Sequence, residues 1–285
     1  MRIRALVQGI LLLASTAAHV AEAQTLYGLE FNGGAGGGAF VELDRIAGSD
    51  VSLIGNAAAL TAARGMAMDP TTGVLYALQS VGGASSTDLY TLDPSIGAAT
   101  FVATIFDTGG TANPPVRDLT FDGAGQLWGV TGQAGVFATS VLAIDKASGV
   151  AQAPLASTAG DREQTIAYRG ADRELWVYSA DGLGNHFLER VDRNSGAKTN
   201  VPLAGAGPSS RVLGLVHDPI DDVFRFFTLG AAYWTLSPAG VQTDTGNTGA
   251  RPYIGLAFDR VTTAEEVFVD GFESGDVSSW SSSTP

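Results

Sequence analysis

Five arginines recur at one place in an internal repeat: Arg64, Arg117, Arg162, Arg211 and Arg251. Each stands one to four residues ahead of a short apolar run, beginning at Gly65, Asp118, Thr165, Gly214 and Gly255 respectively. A guanidinium is permanently charged, and its planar fork of N–H donors matches two oxygens of a carboxylate, sulfate or phosphate at once. The chain has just two lysines, Lys146 and Lys198, so its positive charge is carried mostly by such forks. If the five converge, they form an anion site on an otherwise acidic protein. The competing reading is structural: each arginine pairs with a nearby acid such as Asp118, Asp161 or Glu163 and ties adjacent blades together.

Other chemistries find less support. No Gly-x-Ser-x-Gly nucleophile elbow occurs. The glycines of Gly33 to Gly38 lack the following helix, Lys and Ser/Thr of a phosphate loop, and read as a hairpin loop. His186 and His217 lie in different repeats, which leaves little for a histidine triad or a His-rich metal site. No catalytic residue, metal ligand or cofactor is therefore assigned.

What positions the arginines is the repeat itself. The apolar runs begin Gly65-Met66-Ala67-Met68-Asp69, Asp118-Leu119-Thr120-Phe121-Asp122, Thr165-Ile166-Ala167-Tyr168, Gly214-Leu215-Val216-His217-Asp218 and Gly255-Leu256-Ala257-Phe258-Asp259. Second runs carry Leu75-Tyr76, Leu127-Trp128, Leu175-Trp176 and Val223-Phe224, read as filling between units. Third runs alternate with period two, as in Leu89-Tyr90-Thr91-Leu92 and Val141-Leu142-Ala143-Ile144. They end in turns with Asp first and Gly fifth: Asp44 to Gly48, Asp93 to Gly97, Asp145 to Gly149, Asp192 to Gly196. Turn chemistry accounts for these Asp residues, with calcium ligation as the alternative. Weaker fourth runs follow at 100–103, 152–155, 199–203 and 241–243.

A period of about 40 to 50 residues built from short strands indicates a β-propeller. The fold class expected is all-β: five blades of four antiparallel strands. The N-terminus supplies three strands (Leu26 to Leu29, Phe40 to Leu43, Val51 to Ile54) that lack an innermost partner, and Gly255 to Asp259 is an innermost strand without followers. Pairing them closes the ring and removes the sheet edges; an open solenoid is the alternative. In the closed form the residues entering the innermost strands line one mouth of the central channel, which is where the arginines fall.

The ends of the chain read differently. Met1-Arg2-Ile3-Arg4, an apolar stretch and Ala21-Glu22-Ala23 have the form of a signal peptide cleaved before Gln24. The domains expected are thus 1–23 signal peptide, 24–260 propeller and 261–285 tail. Export follows, to the periplasm, the cell surface or the medium. The net charge is −13 and becomes one unit more negative on loss of Arg2, Arg4 and Glu22, which disfavours nucleic acid and anionic membrane as partners. With no cysteine, the chain can form no disulfide. A monomer is expected, and its partner is an anionic small molecule, a polysaccharide or a protein.

The stretch Gly65-Met66-Ala67-Met68-Asp69-Pro70 … Leu75-Tyr76-Ala77 … Leu89-Tyr90-Thr91-Leu92-Asp93 … Gly97 resembles blades of uncharacterised secreted bacterial β-propellers, and more loosely those of quinoprotein-type and NHL-type propellers. This resemblance implies the fold and transfers no active site. The five-bladed count is also similar to that of furanosidase-type glycosidases, which use two carboxylates at the channel mouth. By that likeness the alternative function is a carbohydrate-active hydrolase with Asp118, Glu163 and Glu30 as candidates. The tail segment Asp270-Gly271-Phe272-Glu273-Ser274-Gly275-Asp276 resembles a short C-terminal element of exported bacterial proteins.

Overall fold

A computed structural model describes residues 24–31, 38–81, 86–110, 113–132, 139–159, 164–181 and 183–259. The expected signal peptide, the tail and the glycine run 33–37 lie outside these residues. The first three strands are β1 (Leu26–Glu30), β2 (Ala39–Leu43) and β3 (Asp50–Asn56). The second blade is β4 (Ala63–Met68), β5 (Leu75–Val81), β6 (Ser86–Leu92) and β7 (Ala99–Thr104). The third contains β8 (Phe106–Asp107), β9 (Val116–Phe121), β10 (Leu127–Thr131), β11 (Ser140–Ile144), β12 (Val150–Ala151) and β13 (Ala156–Ser157). The fourth is β14 (Gln164–Arg169), β15 (Glu174–Ala180), β16 (His186–Val191) and β17 (Lys198–Val201). The fifth is β18 (Val212–Asp218), β19 (Val223–Thr228), β20 (Ala232–Leu236) and β21 (Gln242–Thr248), and β22 (Tyr253–Phe258) ends the described chain.

The ring closes as the incomplete ends of the chain require. β22 pairs antiparallel with β1, with Leu26 opposite Phe258 and Leu29 opposite Gly255, giving the sheet order β22-β1-β2-β3. The innermost strands β22, β4, β9, β14 and β18 each lie against the next around the axis, making a five-bladed β-propeller. Closure satisfies β1, which would otherwise present an unpaired edge at the axis.

Two kinds of local chemistry build the blades. In the tight turns, the Asp44, Asp93, Asp145 and Asp192 carboxylates accept the N–H groups of Ile46 and Ala47, Ser95, Ala147 and Ser148, and Asn194 and Ser195. Gly48, Gly97, Gly149 and Gly196 take φ of 67° to 76°, where a Cβ is unfavourable. These carboxylates are thus turn acceptors, and among the described residues no group of three or more potential metal ligands exists. Between blades, aromatic side chains fill the space. Tyr76 of β5 meets Phe121 of β9 with ring centroids 5.4 Å apart, and Trp176 of β15 meets Phe224 of β19 at 5.1 Å.

The third blade departs from the expected pattern. The run 152–155 is not a strand: Pro154 has no N–H to give, so the outer edge breaks into β12 and β13, both paired to β11. β8 then adds to β12 in parallel, through Phe106 opposite Val150.

Candidate functional site: the axial mouth and its floor

Each innermost strand begins at one face of the disc and ends at the other. At the starting face, β4, β9, β18 and β22 each carry one extra residue relative to their neighbour. Ala63 opposes Gln79 but Met66 opposes Ala77; Val116 opposes Thr131 but Asp118 opposes Val130. The same slip separates Val212 from Leu215, and Tyr253 from Gly255. A bulge bends the strand and re-aims the side chain it carries. Arg64 and Arg117 sit within their bulges, and Arg211 immediately precedes β18.

These three arginines share one electrostatic environment. Burial, then the charges of Arg117 and Arg211, push the Arg64 guanidinium down to about 10. Burial and Arg211 likewise lower Arg117. Arg64 donates from Nη1 to the Ala63 carbonyl at 3.2 Å, and its Nε is buried without a partner. No carboxylate among the described residues lies within ion-pair distance of any of the three. Gly132 makes room for one of them: a Cβ there would stand 2.4 Å from Nε of Arg117.

The other two sequence candidates stand apart. Arg251 donates to Glu30 at 3.2 Å and lies 3.6 Å from Asp50, binding the approach to β22 to β1 and β3. It is a structural tie, though within the closing blade, with acids other than those the alternative reading named and not between adjacent blades. Arg162 lies outside the described residues, as do Asp161 and Glu163.

Asp118 neither pairs with an arginine nor faces the mouth. It is 2 % exposed and projects across the axis. Oδ2 accepts the backbone N–H groups of Ile166 (3.1 Å) and Leu215 (3.3 Å), and Oδ1 accepts that of Leu119 (3.0 Å). One carboxyl thus joins the inner strands of three blades. Glycine allows this close approach: a Cβ on Gly65 would fall 2.0 Å from Asp118 Oδ1, and one on Gly214 would fall 2.3 Å from the Ile254 carbonyl oxygen of the facing strand. Burial pushes the Asp118 carboxyl from 3.8 up to about 8, against the three N–H donors. Of the three hydrolase candidates, Asp118 is sealed, Glu30 accepts from Arg251 and from the Ala39 N–H, and Glu163 lies outside the described residues.

At the opposite face, cations and acids are matched across blades. Lys146 in the turn of the third blade reaches Asp69, at the end of β4, at 2.5 Å. Arg193 in the turn of the fourth reaches Asp122, after β9, at 2.5 Å. Arg45 in the turn of the closing blade reaches Asp218, at the end of β18, at 2.5 Å, where Arg225 also binds at 2.7 Å. Sequence reasoning missed this relay, although its signal is present: an acid closes the inner run, and a cation follows the first Asp of the next unit's turn.

Comparison with known proteins adds the fold and nothing finer. No family model and no curated protein sequence matches the chain. Among solved structures, a "putative exo-beta-1,3-galactanase" from Bifidobacterium bifidum superposes with a TM-score of 0.50 at 15% identity, covering 76% of this chain and 83% of that one. An aldose sugar dehydrogenase from Streptomyces coelicolor, bound to PQQ, gives 0.44 at 13% identity over 76% of this chain and 78% of its own. A protein of unknown function from Bacteroides thetaiotaomicron gives 0.42 at 12% identity over 78% of this chain, which spans 50% of that one.

Proposed function

We propose that this propeller is an exported binding module whose ligand is anionic and is held at the axial mouth by Arg64, Arg117 and Arg211. Arg162 belongs to the same proposal through its place in the sequence, and Arg251 does not. The observation that carries it is the mutual repulsion of three guanidinium groups without a described carboxylate partner. Like charges gathered at partly buried positions cost stability, and an opposite charge from solution relieves that cost. At low ionic strength, citrate and dextran sulfate should raise the melting temperature of the mature protein. Added sodium chloride should reduce the rise, because Arg211 is exposed to solvent. The Arg117→Gln/Arg211→Gln double variant should fold and show no rise. If neither anion shifts the wild-type melt, the site is not an anion receptor. Export belongs to the same reading: protein recovered from the producing cell should begin at or near Gln24, and recovery of Met1 would overturn it.

A further inference from the structure

The axis has a floor. Below the arginines, the Asp118 carboxyl bonds to the inner strands of the fourth and fifth blades, and the backbone at Gly65 and Gly214 approaches too closely for even a Cβ. β18 also comes within 8 Å, Cα to Cα, of β4 and of β9 across the axis. A chain cannot thread through, so whatever the arginines hold must enter from one side and stop there.

The arginines also surround that floor from different directions. Arg64 and Arg117 belong to adjacent inner strands, β4 and β9, and Arg211 precedes β18 on the far side of the axis. Three guanidinium groups carried by strands around one axis, each near enough to feel the others' charge, would suit a group with three terminal oxygens. They carry more charge than a single negative group can offset, and Arg64 retains a buried, unpartnered Nε.

Resting on the anion-site reading above, we propose that the mouth is a blind receptor for a terminal tetrahedral dianion, a phosphate monoester end group or inorganic phosphate, taken end-on. A phosphate monoester presents three non-bridging oxygens and a charge near −2 above its second pKa of about 6. A diester has two such oxygens, a single charge and a chain leaving on both sides. A sulfate monoester keeps the three oxygens but has one charge. Shape and charge are thereby separable.

Isothermal titration at pH 7.5 with glucose 6-phosphate, glucose 6-sulfate, inorganic phosphate and dimethyl phosphate tests this. Glucose 6-phosphate should bind at least about tenfold more tightly than the sulfate and the diester, in line with the stronger charge-assisted bonds of a dianion. Its affinity should fall as pH drops from 7.5 to 5.5. Inorganic phosphate binding as well as the ester would identify the free ion as sufficient; weaker binding would assign part of the affinity to the group it ends. Arg211→Gln, at an exposed position, should reduce binding about tenfold. Gly132→Ala, which keeps every charge but displaces the Arg117 side chain, should weaken it as well. Dimethyl phosphate or glucose 6-sulfate binding as tightly as glucose 6-phosphate would overturn the end-on dianion and leave the anion site standing. Failure of every probe would remove both.

Discussion

Apart from the Arg251 tie, the two faces of the disc handle positive charge in opposite ways. Where the inner strands end, Lys146, Arg193, Arg45 and Arg225 each lie 2.5 to 2.7 Å from an Asp that is almost fully enclosed. Where they begin, Arg64, Arg117 and Arg211 repel one another. The first arrangement is matched charge for charge; the second has no carboxylate to match it among the described residues. Tight Asp–Gly turns and matched pairs hold the ending face together, whereas bulges at the beginning face carry Arg64 and Arg117, which have no carboxylate partner among the described residues.

Removing one acid from the matched face should produce the largest change. Asp218 accepts from Arg45, from Arg225 and from the Ile220 N–H, and Arg225 is itself 3 % exposed. Asp218→Ala leaves a buried guanidinium without its main partner, a loss of about 3–5 kcal/mol. Urea unfolding of this variant should show it, and a loss below about 1 kcal/mol would mean the pairing is no tighter than a surface contact.

An acid of the matched face and one at the axis give the protein its pH profile. Asp69, held by Lys146, Thr71 and Thr72 against the opposing effect of burial, is lowered to about 2. Its stabilisation is complete above its ordinary pKa of 3.8 and fades as pH falls toward 2. Asp118 acts in the other direction. Its folded pKa, raised by burial to about 8, means that the native state holds a proton the unfolded chain has released between 3.8 and 8. Stability therefore declines as pH rises through that window. Thermal melts should be highest near pH 4 to 5 and fall by several degrees by pH 8. Asp118→Asn should flatten the decline while keeping two of the three backbone bonds. A wild-type profile that is level from pH 5 to 8 would assign the charged form to Asp118.

Much of this was legible beforehand, and the exceptions share a cause. Ring closure was readable because Leu26 to Leu29 lacked one neighbour and Gly255 to Asp259 lacked the rest. The turns were readable because Asp and Gly act on their own backbone. Asp118 was misread because its partners, Ile166 and Leu215, are remote in sequence and offer only backbone N–H groups, which no side-chain pattern reveals. Arg64 and Arg251 looked equivalent from spacing alone. A bulge at Arg64 and the acids Glu30 and Asp50 around Arg251 separate them, and both features depend on which residues face each other across strands.

The smallest expected effect is the one that most directly tests the contrast between faces. Arg64 has its guanidinium pushed down from its ordinary value to about 10, first by burial and then by Arg117 and Arg211. A base whose folded pKa lies below its unfolded value opposes folding while it is charged, and at neutral pH it is charged. Arg64→Gln removes that charge, keeps a polar group near the Ala63 carbonyl and retains most of the aliphatic stem that packs at the mouth. Without ligand, the variant should melt about 1–3 °C higher than wild type, corresponding to less than about 1 kcal/mol in a domain of this size. The gain should shrink in high salt, which already screens the three charges from one another. The same exchange at Arg225, on the matched face, should lower the melting temperature instead. A fall at both positions would show that Arg64, too, is held by the fold for its own stability, and the two faces would no longer differ in kind.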